Sequence, residues 1–132
     1  MRIMVDTNVL ISMIFFPSEK INELKSKLCK EHSIVLCSYI VDELQAVVER
    51  KFTAKAKAID KFFESLPFDL VYTPKFFDID KYPTLRDERD TPILVTAILD
   101  DIDILVTGDK DFYNVDIERP EILSPADFLE KY

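Results

Sequence analysis

The chain has 132 residues, of which 48 % are hydrophobic and 32 % charged, and its formal net charge is −8. That length suits one compact domain over residues 1–132, with a core large enough to need no disulfide or structural metal. A single glycine and the absence of low-complexity runs exclude disordered and fibrous classes. No apolar run reaches the ~18–20 residues of a membrane span.

Read in chain order, residues 2–6 (RIMVD) form a short apolar strand. Asn8 to Phe16 follow as a helix that Pro17 stops. Ser18 caps a second helix over about 19–31, with Ile21, Leu24 and Leu28 on one face. Residues 34–37 (IVLC) are a second strand, and Ser38 caps a helix over about 39–50. The next helix, over about 53–65, places Ala54, Ala58, Phe62 and Leu66 in phase. Residues 68–72 (FDLVY) are a third strand. The acid-rich stretch from Thr73 to Asp90 contains Pro74 and Pro83 and reads as a loop with one helical turn near 76–80. Thr91 as N-cap and Pro92 at N1 open a helix that runs to about 100. Residues 103–106 (DILV) are a strand, Thr107-Gly108-Asp109 a turn, and 121–123 a last short strand. Ser124-Pro125 opens the terminal helix. Strand and helix alternate throughout, and short apolar strands of this kind belong in a mostly parallel sheet covered on both faces.

Charge is unevenly placed. Residues 20–61 hold nine Lys/Arg against six acids, and residues 62–132 hold seven against seventeen. An acidic chain is a poor passive binder of nucleic acid. Carboxylates that hold divalent cations reverse the local sign, so an acidic nuclease is no contradiction. The one histidine, His32, excludes His-pair catalysis and an H-E-x-x-H zinc site. Cys29 and Cys37 read as free buried thiols of a reducing cytoplasm.

Sites in open parallel sheets lie beyond the carboxyl ends of the strands. Asp6 ends the first strand, Asp109 follows the fourth, Asp90 precedes a helix, and Glu43 lies in the first turns of the helix after the second strand. A buried carboxylate is costly unless it is paired or holds a cation. Four like charges at one end of a sheet raise each other's pKa values and cost stability, and a divalent oxygen-binding cation removes that cost. Each residue also has a plainer reading: Asp6 or Asp90 as a helix cap, Asp109 as a turn residue, Glu43 as a partner of the helix dipole. Asp111 is a candidate fifth ligand. Asp42, Asp87 and Glu88 read as solvated.

Val5-Asp6-Thr7-Asn8-Val9-Leu10 resembles the opening D-[ST]-N signature of PIN domains. Ser38 to Glu43 resembles the family's S-x-x-x-x-E segment. Arg86 to Asp90, followed by Pro92-Ile93-Leu94 and Ala97, is similar to the third motif, and Thr107 to Phe112 is similar to the fourth, T-x-D-x-D-F. The four stand in order across residues 2 to about 128. The resemblance implies a Rossmann-like three-layer α/β/α sandwich. It also implies a ribonuclease site that uses Mg²⁺ or Mn²⁺, with Asp6, Glu43, Asp90 and Asp109 as the acidic quartet and Thr7, Asn8 and Thr107 in support. Asp90 is preferred to Asp87 because Leu94 and Ala97 then fall in the family's register. Stand-alone prokaryotic members of this length include VapC-type toxins, so the resemblance implies an RNA substrate, an antitoxin partner and a homodimer. On this reading a metal-activated water hydrolyses the phosphodiester, and the basic helices over 20–30 and 50–61 either steer RNA by phosphate contacts or are ordinary solvated helix faces.

The alternatives are a structure-selective DNA nuclease and a PIN fold kept as a non-catalytic binding module. A haloacid-dehalogenase-like phosphatase needs a second Asp where Asn8 stands. A phospho-receiver domain needs an acceptor Asp where Thr73-Pro74 stands. Phe15, Phe16, Phe76 and Phe77 are candidates for either core or contact surface.

Overall fold

A computed structural model describes all 132 residues. Five strands form one sheet in the order β3-β2-β1-β4-β5, and every pairing is parallel. The strands are β1 (Arg2–Val5), β2 (Ser33–Cys37), β3 (Asp69–Val71), β4 (Ile104–Val106) and β5 (Glu121–Leu123). In the centre Ile3 lies opposite both Ile34 and Ile104, and Val5 lies opposite Val106. Consecutive residues Ile3-Met4-Val5, Ile34 to Cys37 and Ile104-Leu105-Val106 are all buried. Successive strand residues point to opposite faces, so both faces of the sheet are covered. The edge strands β3 and β5 are only partly buried, because each has a neighbour on one side alone.

Six α-helices make the connections: α1 (Thr7–Phe15), α2 (Glu19–Glu31), α3 (Ser38–Lys51), α4 (Lys57–Ser65), α5 (Thr91–Leu99) and α6 (Pro125–Lys131). None is long and apolar enough to cross a membrane. Ser18 caps α2 by accepting the Ile21 amide at 3.1 Å, and Leu24 and Leu28 are buried on its inner face. The chain leaves β1 toward β2 and β3, then returns past β1 to lay down β4 and β5. The direction of winding therefore reverses between β1 and β4, and ligands of open α/β sheets bind beyond the carboxyl ends of the strands at such a reversal.

Four sequence expectations need correction. Thr91 is not the cap of α5: it is buried inside the helix, and Asp90 occupies the cap position without a capping hydrogen bond. The reason is the 3₁₀ turn over Glu88–Asp90, which feeds directly into α5. Asp90 N–H donates to the Asp87 carbonyl and Thr91 N–H to the Glu88 carbonyl, so Thr91 is already drawn into helical backbone bonding and stands as the first residue of α5 instead of its cap. Ser38 is the first residue of α3 rather than its cap, and its hydroxyl accepts the Thr73 amide at 2.9 Å. Residues 53–55 form a separate 3₁₀ turn, and α4 begins only at Lys57. Ala54 is accordingly exposed, and Ile59, which has more area to bury than Ala58, turns inward with Phe62 and Leu66. The helical turn in the acid-rich loop lies at Ile79–Lys81 instead of 76–80.

Of the four phenylalanines, Phe15 packs on the core and stacks on Phe52 at 4.3 Å between ring centroids. Phe77 is half-buried, and Phe16 and Phe76 are exposed.

Candidate functional site

Asp6 continues β1 by one residue, its amide donating to the Val106 carbonyl at 3.0 Å. Its side chain caps α1: Oδ1 accepts the Thr7 amide at 2.8 Å. The same carboxylate accepts the Thr107 hydroxyl on Oδ2 at 2.7 Å. The capping role and the site role therefore coexist, one on each oxygen. Thr107 in turn accepts the Asp109 amide on its hydroxyl oxygen at 3.0 Å. A chain of hydrogen bonds thus runs from the turn after β4 through Thr107 to Asp6, and the Tyr113 hydroxyl fixes that turn by donating to the Thr107 carbonyl at 2.7 Å. Asn8 braces it from α1, its Oδ1 accepting the Gly108 amide at 3.3 Å.

Asp109 caps the 3₁₀ turn over Lys110–Phe112 through the Asp111 amide, at 2.9 Å. Asp90, Asp109 and Asp111 bring carboxylate oxygens within 4.8 Å of one another. Neither Asp6 nor Glu43 belongs to that trio, but both line the same cleft as Asp90 and Asp109. Asp111 also faces Arg86 at 3.9 Å.

The two acids of the third motif part ways. Asp87 caps the 3₁₀ turn and forks onto Arg89, with 3.1 Å to Nε and 2.9 Å to Nη2. That guanidinium holds the Asp87 carboxyl below the ordinary range. Asp90 has no cation partner and faces the cleft. Tyr39 explains how α3 meets this loop: its hydroxyl donates to the Arg89 carbonyl, next to Asp90. One helical turn further along α3 stands Glu43, half-buried, while Asp42 points away and is exposed.

The cleft has a volume of about 230 Å³ and is walled by Asp6, Thr7, Asn8, Glu43, Asp90 and Asp109 among others. Burial pushes the Asp6 carboxyl up to about 6, outweighing the hydrogen bonds from Thr107 and Thr7, and the charges of Glu43 and Asp109 add to the rise. Burial first, then the fields of Asp6, Asp109 and Asp87, push Asp90 up to about 7. These side chains suit a hard divalent cation, since the donors are all oxygen and the excess negative charge is unneutralised. One further observation fits. Thr7, a residue of the cleft wall that is only 4 % exposed, has a buried hydroxyl with no hydrogen-bond partner, and such an orphaned group costs stability.

Two features escaped the sequence reading. Tyr39 as a strut to the Arg89 carbonyl has no motif to announce it. Lys51 lines the acid cleft, whereas the sequence groups it with the other basic residues; its spacing of eight from Glu43, two turns of one helix face, was the available signal.

The PIN domain family profile matches residues 2–111. The chain belongs to the PIN-domain family. A PIN domain is a nuclease fold, and the acidic cleft lies at the point where the winding of its sheet reverses. Among solved structures, a chain of VapBC2 from Rickettsia felis, crystallised bound to a DNA fragment from their promoter, is similar to this PIN domain with a TM-score of 0.68. The two are 19 % identical, and the alignment covers 93 % of this chain and 97 % of the other. Comparison with curated proteins gave no match.

Proposed function

We propose that this PIN domain is a metal-dependent ribonuclease that hydrolyses RNA phosphodiester bonds and serves as the toxin of a toxin–antitoxin pair. The observation that carries the reading is the convergence of Asp6, Glu43, Asp90 and Asp109, from four separate elements, on one cleft. The likeness to a VapBC2 chain supports the toxin assignment and a protein antitoxin as partner; a homodimeric working form belongs to the same proposal. The free thiols of Cys29 and Cys37 suit a cytoplasmic setting.

Asp90 and Asp109 would hold Mg²⁺ or Mn²⁺, with Asp111 beside them and Asp6 and Glu43 completing the negative wall. When bound, the cation lowers the pKa of the attacking water and stabilises charge on the leaving oxygen. Asp6, fixed on both oxygens by Thr7 and Thr107, keeps its charge at the floor of the cleft in one orientation. Glu43 places a fourth carboxylate at the cleft wall, where it accepts a proton or orients a water. Asn8 and Thr107 hold the α1 start and the β4 turn in register, so that the acids from β1 and β4 stay together.

Calorimetric titration of Mn²⁺ into EDTA-stripped protein tests this reading, with wild type beside Asp6→Asn and Asp90→Asn. Saturable binding by wild type that weakens in both variants, with manganese-dependent cleavage of single-stranded RNA, is expected. A folded wild type that binds no Mn²⁺, or equal binding by all three proteins, overturns it.

A further inference from the structure

Lys51 is the one cation in the wall of a cleft otherwise lined by acids, small polar groups and apolar side chains. Glu43, Val47 and Lys51 stand at intervals of four along α3 and all reach that cleft, so they share one helix face. Lys51 forms no ion pair. Its neighbours at three and four residues before it are Val48 and Val47, and at three and four after it Ala54 and Lys55. No carboxylate on its own helix can therefore occupy it. A cation in the last turn of a helix is ordinarily explained by the helix dipole. That explanation applies equally to Arg50, which does not line the cleft.

Eight residues of helix separate Lys51 from Glu43 by about 12 Å along the axis. The Lys51 end of this helix face is thus set apart from Glu43 along the cleft wall.

We propose that Lys51 is the anchor for a flanking backbone phosphate of the substrate strand, a positioning residue that sets which stretch of the chain lies over the acids. This rests on the nuclease reading above. It adds that substrates are oligonucleotides longer than the cleaved step, because the anchoring phosphate lies outside it.

The test compares Lys51→Gln, Lys51→Arg and Arg50→Gln in steady-state cleavage of a labelled 12-nucleotide single-stranded RNA, with Mn²⁺ and a series of KCl concentrations. Both glutamine variants remove one charge from the same helical turn, so a dipole or stability role moves them together. The expected result is a KM raised roughly fivefold to tenfold in Lys51→Gln with kcat unchanged, as for loss of one charged hydrogen bond used equally in ground and transition states. The slope of log(kcat/KM) against log[KCl] should fall by about 0.7, the value for one phosphate of a single strand. Arg50→Gln should match wild type, and Lys51→Arg should recover most of the KM. Equal effects in Lys51→Gln and Arg50→Gln overturn the proposal in favour of diffuse steering. So does a Lys51→Gln variant that cleaves like wild type at every salt concentration. If wild type itself fails to cleave RNA or bind Mn²⁺, the nuclease reading falls and takes the anchor with it. That pattern differs from the other two because it is common to all the proteins.

Discussion

β1 and β4 lie side by side, and each end of the pair carries buried or half-buried aspartates with opposite electrostatics. At the amino ends, Asp103 accepts the Arg2 amide at 2.8 Å and the Arg119 guanidinium at 2.8 Å. These donors hold its carboxyl below the ordinary range. At the carboxyl ends, Asp6 and Asp90 have no cation partner, and both carboxyls are pushed up, to about 6 and about 7. The first arrangement ties β1 to β4 and β5 and is complete in the chain itself. The second is incomplete without an added positive charge. An aspartate that serves the fold brings its counter-ion with it, and a group of aspartates left uncompensated marks a place for something else.

The largest effect expected from this difference is on activity. Asp6→Asn keeps an acceptor for the Thr7 amide, and Asn caps helices as well as Asp does, so the fold should survive. Cleavage should fall by at least about 10³-fold, the scale on which loss of an essential charge acts on a transition state. Rates and thermal melts on the same preparation check it. Asp6→Asn that cleaves RNA at near the wild-type rate would remove the cleft from the chemistry.

Next in size is the response to metal. At a free Mn²⁺ concentration 100 times its dissociation constant, the folded state should gain about 2.7 kcal/mol. Asp103→Ala should show the same gain, because its site lies at the other end of the strands. Asp90→Asn should show little. A differential melt with and without Mn²⁺ reads all three, and equal stabilisation of Asp90→Asn and wild type would place the ion elsewhere.

Asp103→Ala is expected to cost about 1–2 kcal/mol in urea unfolding, since it leaves the Arg2 amide and Arg119 without their charged acceptor and the site is part-exposed. Its cleavage rate should equal wild type. A variant that loses activity without losing stability would contradict the division of labour between the two ends.

Much of this division was legible in the residues. The run Arg2–Val5 ending in Asp6 announces both the strand and its costly terminal acid, and Thr107-Gly108-Asp109 does the same for β4. Helix α2 follows from Ser18 and the Leu24–Leu28 spacing. The start of α5 did not follow, because the donor–acceptor accounting that frees Asp90 depends on the 3₁₀ turn before it. Local signals favour Thr91 as a cap, and only the three-dimensional chain shows that the preceding 3₁₀ turn has already drawn the Thr91 amide into helical bonding. The register of Leu94 and Ala97 favours Asp90 over Asp87 in the sequence, and the position of Arg89, which bonds the first and leaves the second without a cation, adds a physical ground that the sequence does not display. The placing of Ala54 and Ala58 on the inner face of one helix failed because Ile59, one residue on, has more area to bury. Lys51 stayed hidden among nine basic residues because spacing alone cannot say which helix face meets a cleft.

The smallest effect separates the two ends by pH. A carboxyl whose folded pKa is raised binds its proton more tightly in the folded state, so its contribution to stability falls as pH rises from about 4 to its folded value. In EDTA, Asp6 and Asp90 should therefore erode stability between about pH 4 and pH 7. Asp103 has the opposite sign. Its carboxyl is more acidic when folded, so its contribution is present above about pH 4 and is lost as pH falls through the folded value. Asp90→Asn should thus flatten the neutral side of the stability profile, raising metal-free stability at pH 8 by about 1 kcal/mol once screening of a half-exposed group is allowed for. Asp103→Ala should flatten the acid side and leave the neutral slope alone. Urea titrations from pH 3 to pH 8 resolve the two limbs. Saturating Mn²⁺ provides the internal control, because a cation that neutralises the cleft should flatten the neutral limb of wild type while leaving the acid limb as it was. If Asp90→Asn instead destabilises the metal-free protein at pH 8, its carboxylate is part of the scaffold, and the contrast between the two ends of the sheet does not hold.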